Sequence, residues 1–219
     1  MAASDLWRVD LHLHTDASWD SAVSPERLIQ VARQRGLSRI AVTDHNTIRG
    51  ALAAKSIAPD LVIVGEEVKT ENGELLAYFI HEEIPHGLSL EETIRRIREQ
   101  GGVVGVSHPL DRLRREAIGR EALLPILPLL DCVEVFNSRT LLPSDNDRAL
   151  ALAQEYGLPG TAGSDAHSAY EVGRAYVEMP PFDSPAEFVE ALRRGRITGR
   201  LSGPWVHLIS TINKRRRRR

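Results

Sequence analysis

Five of the eight histidines in this 219-residue chain sit in short motifs alongside carboxylates, and each motif ends a predicted β-strand. The motifs are His12-Leu13-His14-Thr15, Thr43-Asp44-His45, Gly65-Glu66-Glu67, Gly73-Glu74, Ser107-His108-Pro109, Val133-Glu134-Val135-Phe136-Asn137 and Ser164-Asp165-Ala166-His167. Imidazole and carboxylate are the ligand set of a multinuclear metal site. Residues i and i+2 of a strand face the same side, so His12 and His14 point together. Asp165 and His167 repeat that spacing, behind a Gly163 that lets backbone approach closely. A lone His-x-His pair is more often a core or surface pair than a ligand pair. The same residue types at the ends of successive strands are poorly explained that way.

The elements that must position these side chains alternate. Arg8–Leu13 reads as the first strand. Ser24-Pro25 opens a helix, serine as N-cap and proline at its first position, and Gly36 closes it. Arg39–Thr43 is the second strand and Ile48–Ser56 a short helix. Leu61–Val64 and Glu74–Ile80 follow as strands with no room for a helix between them. Ser89-Leu90-Glu91-Glu92 is a capping box that starts a helix running to about Gly101. Val103–Val106 is a strand, and Arg114–Leu130 a less regular helical stretch interrupted by Pro125 and Pro128. Cys132–Phe136, Gly160–Ala162 with Gly163, and Arg174–Glu178 are strands; Ser144–Tyr156 and Ser184–Arg194 are helices; Ile197–Leu201 is extended.

Apolar strands alternating with amphipathic helices imply a parallel sheet covered on both faces. No dinucleotide fingerprint or P-loop follows any strand, which weakens an open doubly wound sheet. Polar residues at the strand ends favour a (β/α) barrel, where those ends converge on one mouth. His108 precedes Pro109, so its backbone is expected to be extended.

Composition bounds the rest. Hydrophobic residues make up 42% and charged residues 26% of the chain, ordinary for a globular domain of this length. No apolar run is long enough to span a bilayer, and the N-terminus lacks a secretory pattern. The single cysteine, Cys132, cannot form an internal disulfide and suits a cytoplasmic location. Net charge is −2, but Lys214 and Arg215–Arg219 carry +6, so the remainder carries −8. Residues 1–213 are therefore expected to form one domain, and 214–219 a basic disordered tail.

The ordered series His-x-His, Thr-Asp-His, Gly-x-Glu, His-Pro and Ser-Asp-x-His resembles the PHP superfamily (polymerase and histidinol phosphatase) from about Arg8 to Glu178. The resemblance implies a distorted (β/α)7 TIM-like barrel with two or three divalent ions at its C-terminal mouth, hydrolysing phosphoesters. It assigns His12, His14, Glu67 and Asp165 to one ion, and Glu67 with His108 to a second. A third would take Asp20, or else Asp16, with His45 and His167. Many members place a histidine ligand where this chain has Glu74. An oxygen ligand there would shift preference toward Mn²⁺ over Zn²⁺, with iron a further candidate. Asp44 is either a ligand or an orienting group.

The mechanism so implied is in-line attack on phosphorus by a metal-bridging hydroxide, with Asp165 and His167 as catalytic residues and His167 a candidate proton donor to the leaving alkoxide. Arg112 and Arg139 are candidates to clamp the phosphate, with Asn137 in contact with metal or substrate and Lys69 a further cation; solvated loop arginines are the ordinary alternative. The expected partner is a small phosphomonoester or nucleotide. A 5′-3′ exonuclease on short oligonucleotides is the alternative, weakly supported by the arginine tail, and a noncatalytic metal-stabilised module is a third. No membrane partner is expected.

Overall fold

Ser24 accepts a hydrogen bond from Arg27 N at the start of helix α1 (Pro25–Gln34), and Ser89 accepts one from Glu92 N at the start of α3 (Leu90–Glu99). Both caps stand where the serine-proline and capping-box signals place them. They satisfy amides that the first helical turn leaves without partners. The computed structural model describes residues 6–217. Strands β1 (Trp7–Leu13), β2 (Arg39–Val42), β3 (Val62–Thr70), β4 (Gly73–Tyr78) and β5 (Val103–Val106) are followed by β6 (Cys132–Asn137) and β7 (Gly160–Gly163), then β8 (Ala175–Met179) and β9 (Arg196–Gly199). Helices α2 (Arg49–Ile57), α4 (Gly119–Leu123), α5 (Pro143–Glu155) and α6 (Pro185–Arg193) cover the sheet, and a 3₁₀ segment at Leu124–Leu129 accommodates the two prolines. The chain ends in helix α7 (Trp205–Arg217).

The strands run in the order β7-β6-β5-β4-β3-β2-β1-β8-β9. The sheet is mixed, where a parallel one was expected. β4 is antiparallel to both β3 and β5, and β8 is antiparallel to both β1 and β9. A two-residue connection between Thr70 and Gly73 permits only a hairpin, since a parallel crossover needs a dozen residues or more. Gly73, at φ 132°, makes the turn. As a result Glu74 opens its strand rather than ending one. Antiparallel direction brings that opening to the same end of the sheet as the parallel strands' C-termini.

Closure into a barrel occurs only at the mouth. The first half of β1 pairs with β8, whereas its last residue, Leu13, bridges Ala166 beyond β7. Asp165 N donates to His12 O at 2.8 Å and His14 N to Ala166 O at 3.1 Å. This is the distorted TIM-like barrel, and its single closed end is where the ligands lie. Leu11, Ala41, Leu76, Tyr78, Cys132 and Ala162 pack into one buried cluster, and Tyr78 Oη donates to Leu11 O. Among the described residues no helix is long and apolar enough to cross a membrane.

Several core carboxyls lie outside the ligand set, Glu66 among them. Glu66 is fully buried; its Oε2 accepts from Ile84 N and its Oε1 has no partner among the described residues. Burial, with Glu83 nearby, pushes its pKa up to about 8. A carboxyl raised in the folded state costs stability as pH rises above its unfolded value, and the full cost is reached above about 8. Glu66→Gln is therefore expected to stabilise the protein by roughly 1–3 kcal/mol at pH 9. The gain should vanish near pH 4; equal melting temperatures for the two proteins at pH 9 would refute it.

Candidate metal centre

His12, His14, Glu67 and Asp165 converge at the closed end of the barrel, all buried. His12 Nε2 lies 3.3 Å from Glu67 Oε2 and 3.8 Å from Asp165 Oδ1. His14 Nε2 lies 3.4 Å and 3.3 Å from the same two oxygens. Glu67 is shared: its Oε1 is 3.2 Å from His108 Nε2 and its Oε2 is 3.0 Å from His45 Nδ1. Glu74 joins this second group, at 3.7 Å from His45 and 3.8 Å from His108. Asp20 Oδ2 sits between His45 Nε2 at 3.5 Å and His167 Nε2 at 3.2 Å, forming a third. Asp16 is exposed. All nine residues assigned to metal are thus within one connected cluster.

The donor set fits divalent cations. His12 Nε2, His14 Nε2, His45 Nδ1 and Asp20 Oδ1 are buried without a hydrogen-bond partner among the described residues. Leaving buried polar atoms unpaired is costly, and several turned toward one another form a donor set that could hold cations. His14 with His45 and His167, His12 with His14 and Glu67, and His45 with Glu67 and Glu74 each offer ligand atoms within 4.8 Å of one another.

Electrostatics of the ion-free cluster agree. Burial opposes charge on His12, but Glu67, Glu134 and Asp165 outweigh it and hold the imidazole well above its ordinary pKa. Glu67 and Asp20 do the same for His45. Burial and the charges of His167 and His45 push His14 down to about 3. Burial raises Glu74, and the like charge of Glu67 raises it further. Burial works against the Asp165 carboxylate, yet the Arg114 guanidinium at 2.7 Å and His12 hold it well below the usual range. Protons here do the neutralising that bound cations would do.

Groups behind the ligands fix their orientation. Glu134 Oε1 lies 3.0 Å from His12 Nδ1, and its Oε2 accepts from His108 N at 2.7 Å. Asp44 does not reach the cluster; it accepts from Thr15 N, Thr15 Oγ1 and Ser18 Oγ, and Ser18 Oγ is 3.1 Å from His14 Nδ1. Ser107 Oγ donates to Glu67 Oε1 at 2.5 Å. His167 Nδ1 lies against both Asp165 O, at 2.8 Å, and the Arg139 guanidinium, contacts that hold the ring with Nε2 turned toward Asp20. Two ligand residues have left-handed backbone, Asp165 at φ 51° and His108 at φ 25°. The extended form expected for His108 before proline is therefore not adopted, because its amide turns inward to Glu134. Strain of this kind collects at functional sites. Gly163 is required for packing: a Cβ there would lie 2.2 Å from His12 Cβ. Glu134→Gln should keep the fold and lower activity by about 10–100-fold, as loss of an orienting carboxylate does; unchanged kcat/KM would show that Glu134 does not tune His12.

The cations fall differently from expectation. Arg112 turns away from the mouth to Asp145 at 2.7 Å and Ser144. Arg114, two residues on, lines the cavity instead. Arg139 does line it, but its donors are engaged by His167, Val206 O and Ser210, with Glu171 at 3.3 Å. Asn137 is buried and donates to Glu134 and Asp165, so it orients carboxylates and does not face the opening. Lys69 borders an adjoining pocket.

The cavity above the ligands has a volume of about 330 Å³. Asp20, His45, Glu74, Asp165 and His167 form its floor, and α7 supplies a wall through His207, Ser210, Thr211 and Lys214. The basic segment expected to be disordered from 214 is helical to Arg217; Arg218 and Arg219 lie outside the described residues. It is held because Asn213 Nδ2 donates to Asp20 O and Lys214 Nζ sits 4.1 Å over the Trp19 ring. Glu134, Arg114, Ser18, Trp19 and α7 were not singled out from sequence as parts of the site. Glu134 lay within a recognised motif; Trp19 and α7 carried no metal-ligand signal.

Comparisons with known proteins bear on the family and the fold. Residues 10–104 match the PHP domain family and residues 143–197 the PHP-associated family. An uncharacterized protein of Methanocaldococcus jannaschii is 35% identical over 196 residues, covering 85% of this chain and 79% of that protein. A second from the same organism is 40% identical over 145 residues, 60% of this chain and 82% of the other. In structure, a two-domain protein of Bacteroides vulgatus containing a predicted PHP-like metal-dependent phosphoesterase superposes with a TM-score of 0.74 at 20% identity. That match covers 89% of this chain, which spans 65% of the Bacteroides one. With its ligand cluster seated at the closed end of a distorted barrel and its length shared with close relatives, the chain belongs to the PHP family.

Proposed function

We propose that the protein is a metal-dependent phosphoesterase hydrolysing a small phosphomonoester or nucleotide. The observation that carries this reading is the shared carboxylate Glu67, whose two oxygens face different histidines at the floor of an open cavity. A carboxylate can bridge two cations, and a ligand set organised around one suits a multinuclear hydrolytic site. Bound divalent ions would acidify water near neutral pH and offset charge on the phosphoryl oxygens. Two or three ions are consistent with the overlapping groups, and the oxygen donor Glu74 favours manganese over zinc.

The chain's own residues do the remaining work. Glu134 and Ser18 hold the His12 and His14 rings, so their free nitrogens stay aimed at the cluster. Arg114 stands against Asp165 at the cavity wall and adds positive charge near the phosphoryl position. His167, its Nδ1 edge held between the Asp165 carbonyl and Arg139, keeps Nε2 turned toward Asp20, where it would help hold a cation. Cys132 is no nucleophile: it is buried in the core and burial pushes its thiol pKa up. A free, reduced cysteine accords with a cytoplasmic enzyme.

A 5′-3′ exonuclease is the second reading, favoured by the basic helix that reaches the rim of the mouth. Manganese-loaded protein should be offered 3′,5′-bisphosphonucleotides, histidinol phosphate and 5′-phosphorylated oligonucleotides, with Asp165→Asn as control. Inorganic phosphate from a small compound, absent with the variant, supports the phosphatase. Stepwise mononucleotides support the nuclease. No turnover on any substrate counts against both.

A further inference from the structure

We propose that Lys214, carried on the C-terminal helix, is the cation that receives the substrate's phosphoryl group at the cavity rim, with Trp19 as the residue that positions it. The inference deepens the phosphoesterase reading and rests on it for the identity of the anion as substrate. Four hydrogen-bond contacts bring α7 to the mouth. His207 Nε2 is 3.0 Å from Arg139 O, Arg139 Nη2 donates to Val206 O and to Ser210 Oγ, and Asn213 donates to Asp20 O. Asp20 belongs to the ligand cluster, so α7 is registered directly against the metal centre.

Charge accounting singles out Lys214. The cavity floor carries the carboxylates Asp20, Glu74 and Asp165, with Glu116 at its edge. Among the described residues three permanent cations line the same space. Arg114 is committed to Asp165 and Asp111, and Arg139 to Glu171. Lys214 alone of the three has no carboxylate partner among the described residues; its ammonium lies over the Trp19 ring at 4.1 Å. A cation–π contact holds an ammonium in place without neutralising it. Three rotatable donors thus remain for an anion, and a phosphoryl dianion above the cluster is the anion the site is built around.

Trp19 makes the link geometrically definite. Its ring stacks on the ligand His45, centroids 5.0 Å apart and planes 16° from parallel, yet it stays 43% exposed. An exposed tryptophan fixed to a ligand imidazole sets the height at which the ammonium sits above the metal floor.

The test titrates inorganic phosphate into the manganese-loaded protein by calorimetry and, separately, measures steady-state kinetics on whichever phosphomonoester is turned over. Lys214→Met should weaken phosphate binding roughly tenfold or more, the order expected for losing a charged hydrogen-bond donor, and raise KM by a similar factor with kcat little changed. Lys214→Arg should restore part of the loss, and Trp19→Leu should weaken binding while Trp19→Phe retains more of it. Arg215→Ala removes the same charge from the next position of the same helix, at an exposed residue outside the cavity. An equal loss from Arg215→Ala, or less than a twofold change from Lys214→Met in a protein whose circular dichroism is native, overturns the proposal. Phosphate binding that depends on Lys214 in a protein that hydrolyses nothing would sink the phosphoesterase reading while leaving the anion site standing.

Discussion

Glu67→Gln is expected to eliminate metal-dependent hydrolysis, with a larger loss than the roughly 10–100-fold that follows removal of an orienting group behind a ligand. The reason lies in how many partners one side chain serves. Glu67 Oε2 faces His12, His14 and His45 within 3.0–3.4 Å, and its Oε1 faces His108 and the Ser107 hydroxyl. An amide of the same shape keeps one neutral oxygen and replaces the other with a donor. It cannot offer two anionic oxygens to two cations. The variant should bind fewer manganese ions per chain by equilibrium dialysis with atomic absorption. Full stoichiometry together with wild-type kcat would show that Glu67 bridges nothing. Glu74→Gln provides a graded comparison, since Glu74 touches only the His45 and His108 side of the cluster and should affect one group of ligands.

Why so much of this centre was legible is a matter of strand geometry. His12, His45, His108 and Asp165 stand near or just beyond strand ends, while Glu67 lies within β3, which runs past the expected Val64 to Thr70. A short apolar strand with a polar terminus is visible in sequence. Barrel closure then brings such termini together. What was not legible depends on backbone paths with no periodic signal. In the segment after β5, Asp111 N bonds to His108 O and Arg114 N to Asp111 O, turns that carry Arg112 outward to Asp145 and Arg114 inward to Asp165. A displacement of two residues separates a solvated arginine from one at the metal site. The mixed sheet was hidden for a related reason. Strand direction is set by the Thr70–Gly73 turn, and the apolar run of β4 reads the same in either direction. The helix that reaches Arg217 was not legible because composition alone says that six consecutive cations repel and fray. Trp19, Asp20 and Arg139 supply the tertiary partners that hold the helix, and none of them is near it in sequence.

Loading the protein with manganese should raise its melting temperature, and the rise should grow with pH. One ion present at 1,000 times its dissociation constant stabilises the folded state by about 4 kcal/mol. For a chain of this length each kcal/mol moves the midpoint by about 2–4 °C, so the shift is on the order of 10 °C. The pH dependence follows from who neutralises the carboxylates. In the ion-free protein, His12 and His45 have pKa values raised well above 6.5 by Glu67, Glu134, Asp165 and Asp20 acting against burial. A raised imidazole contributes stability that is fully present below its unfolded value and is lost as pH climbs through the folded one. Above 6.5 the unfolded chain sheds its imidazole protons while the ion-free fold still holds its own, so the stability of that fold falls as pH rises. Cations need the same nitrogens unprotonated and bind more tightly over that range. The two effects have the same sign, so the gap between loaded and chelator-treated protein should be wider at pH 8.5 than at pH 6. Differential scanning fluorimetry of both forms across that interval measures it. A gap that stays constant or narrows with pH would mean that these imidazoles do not exchange protons for metal, and the ligand assignment of His12 and His45 would fall with it.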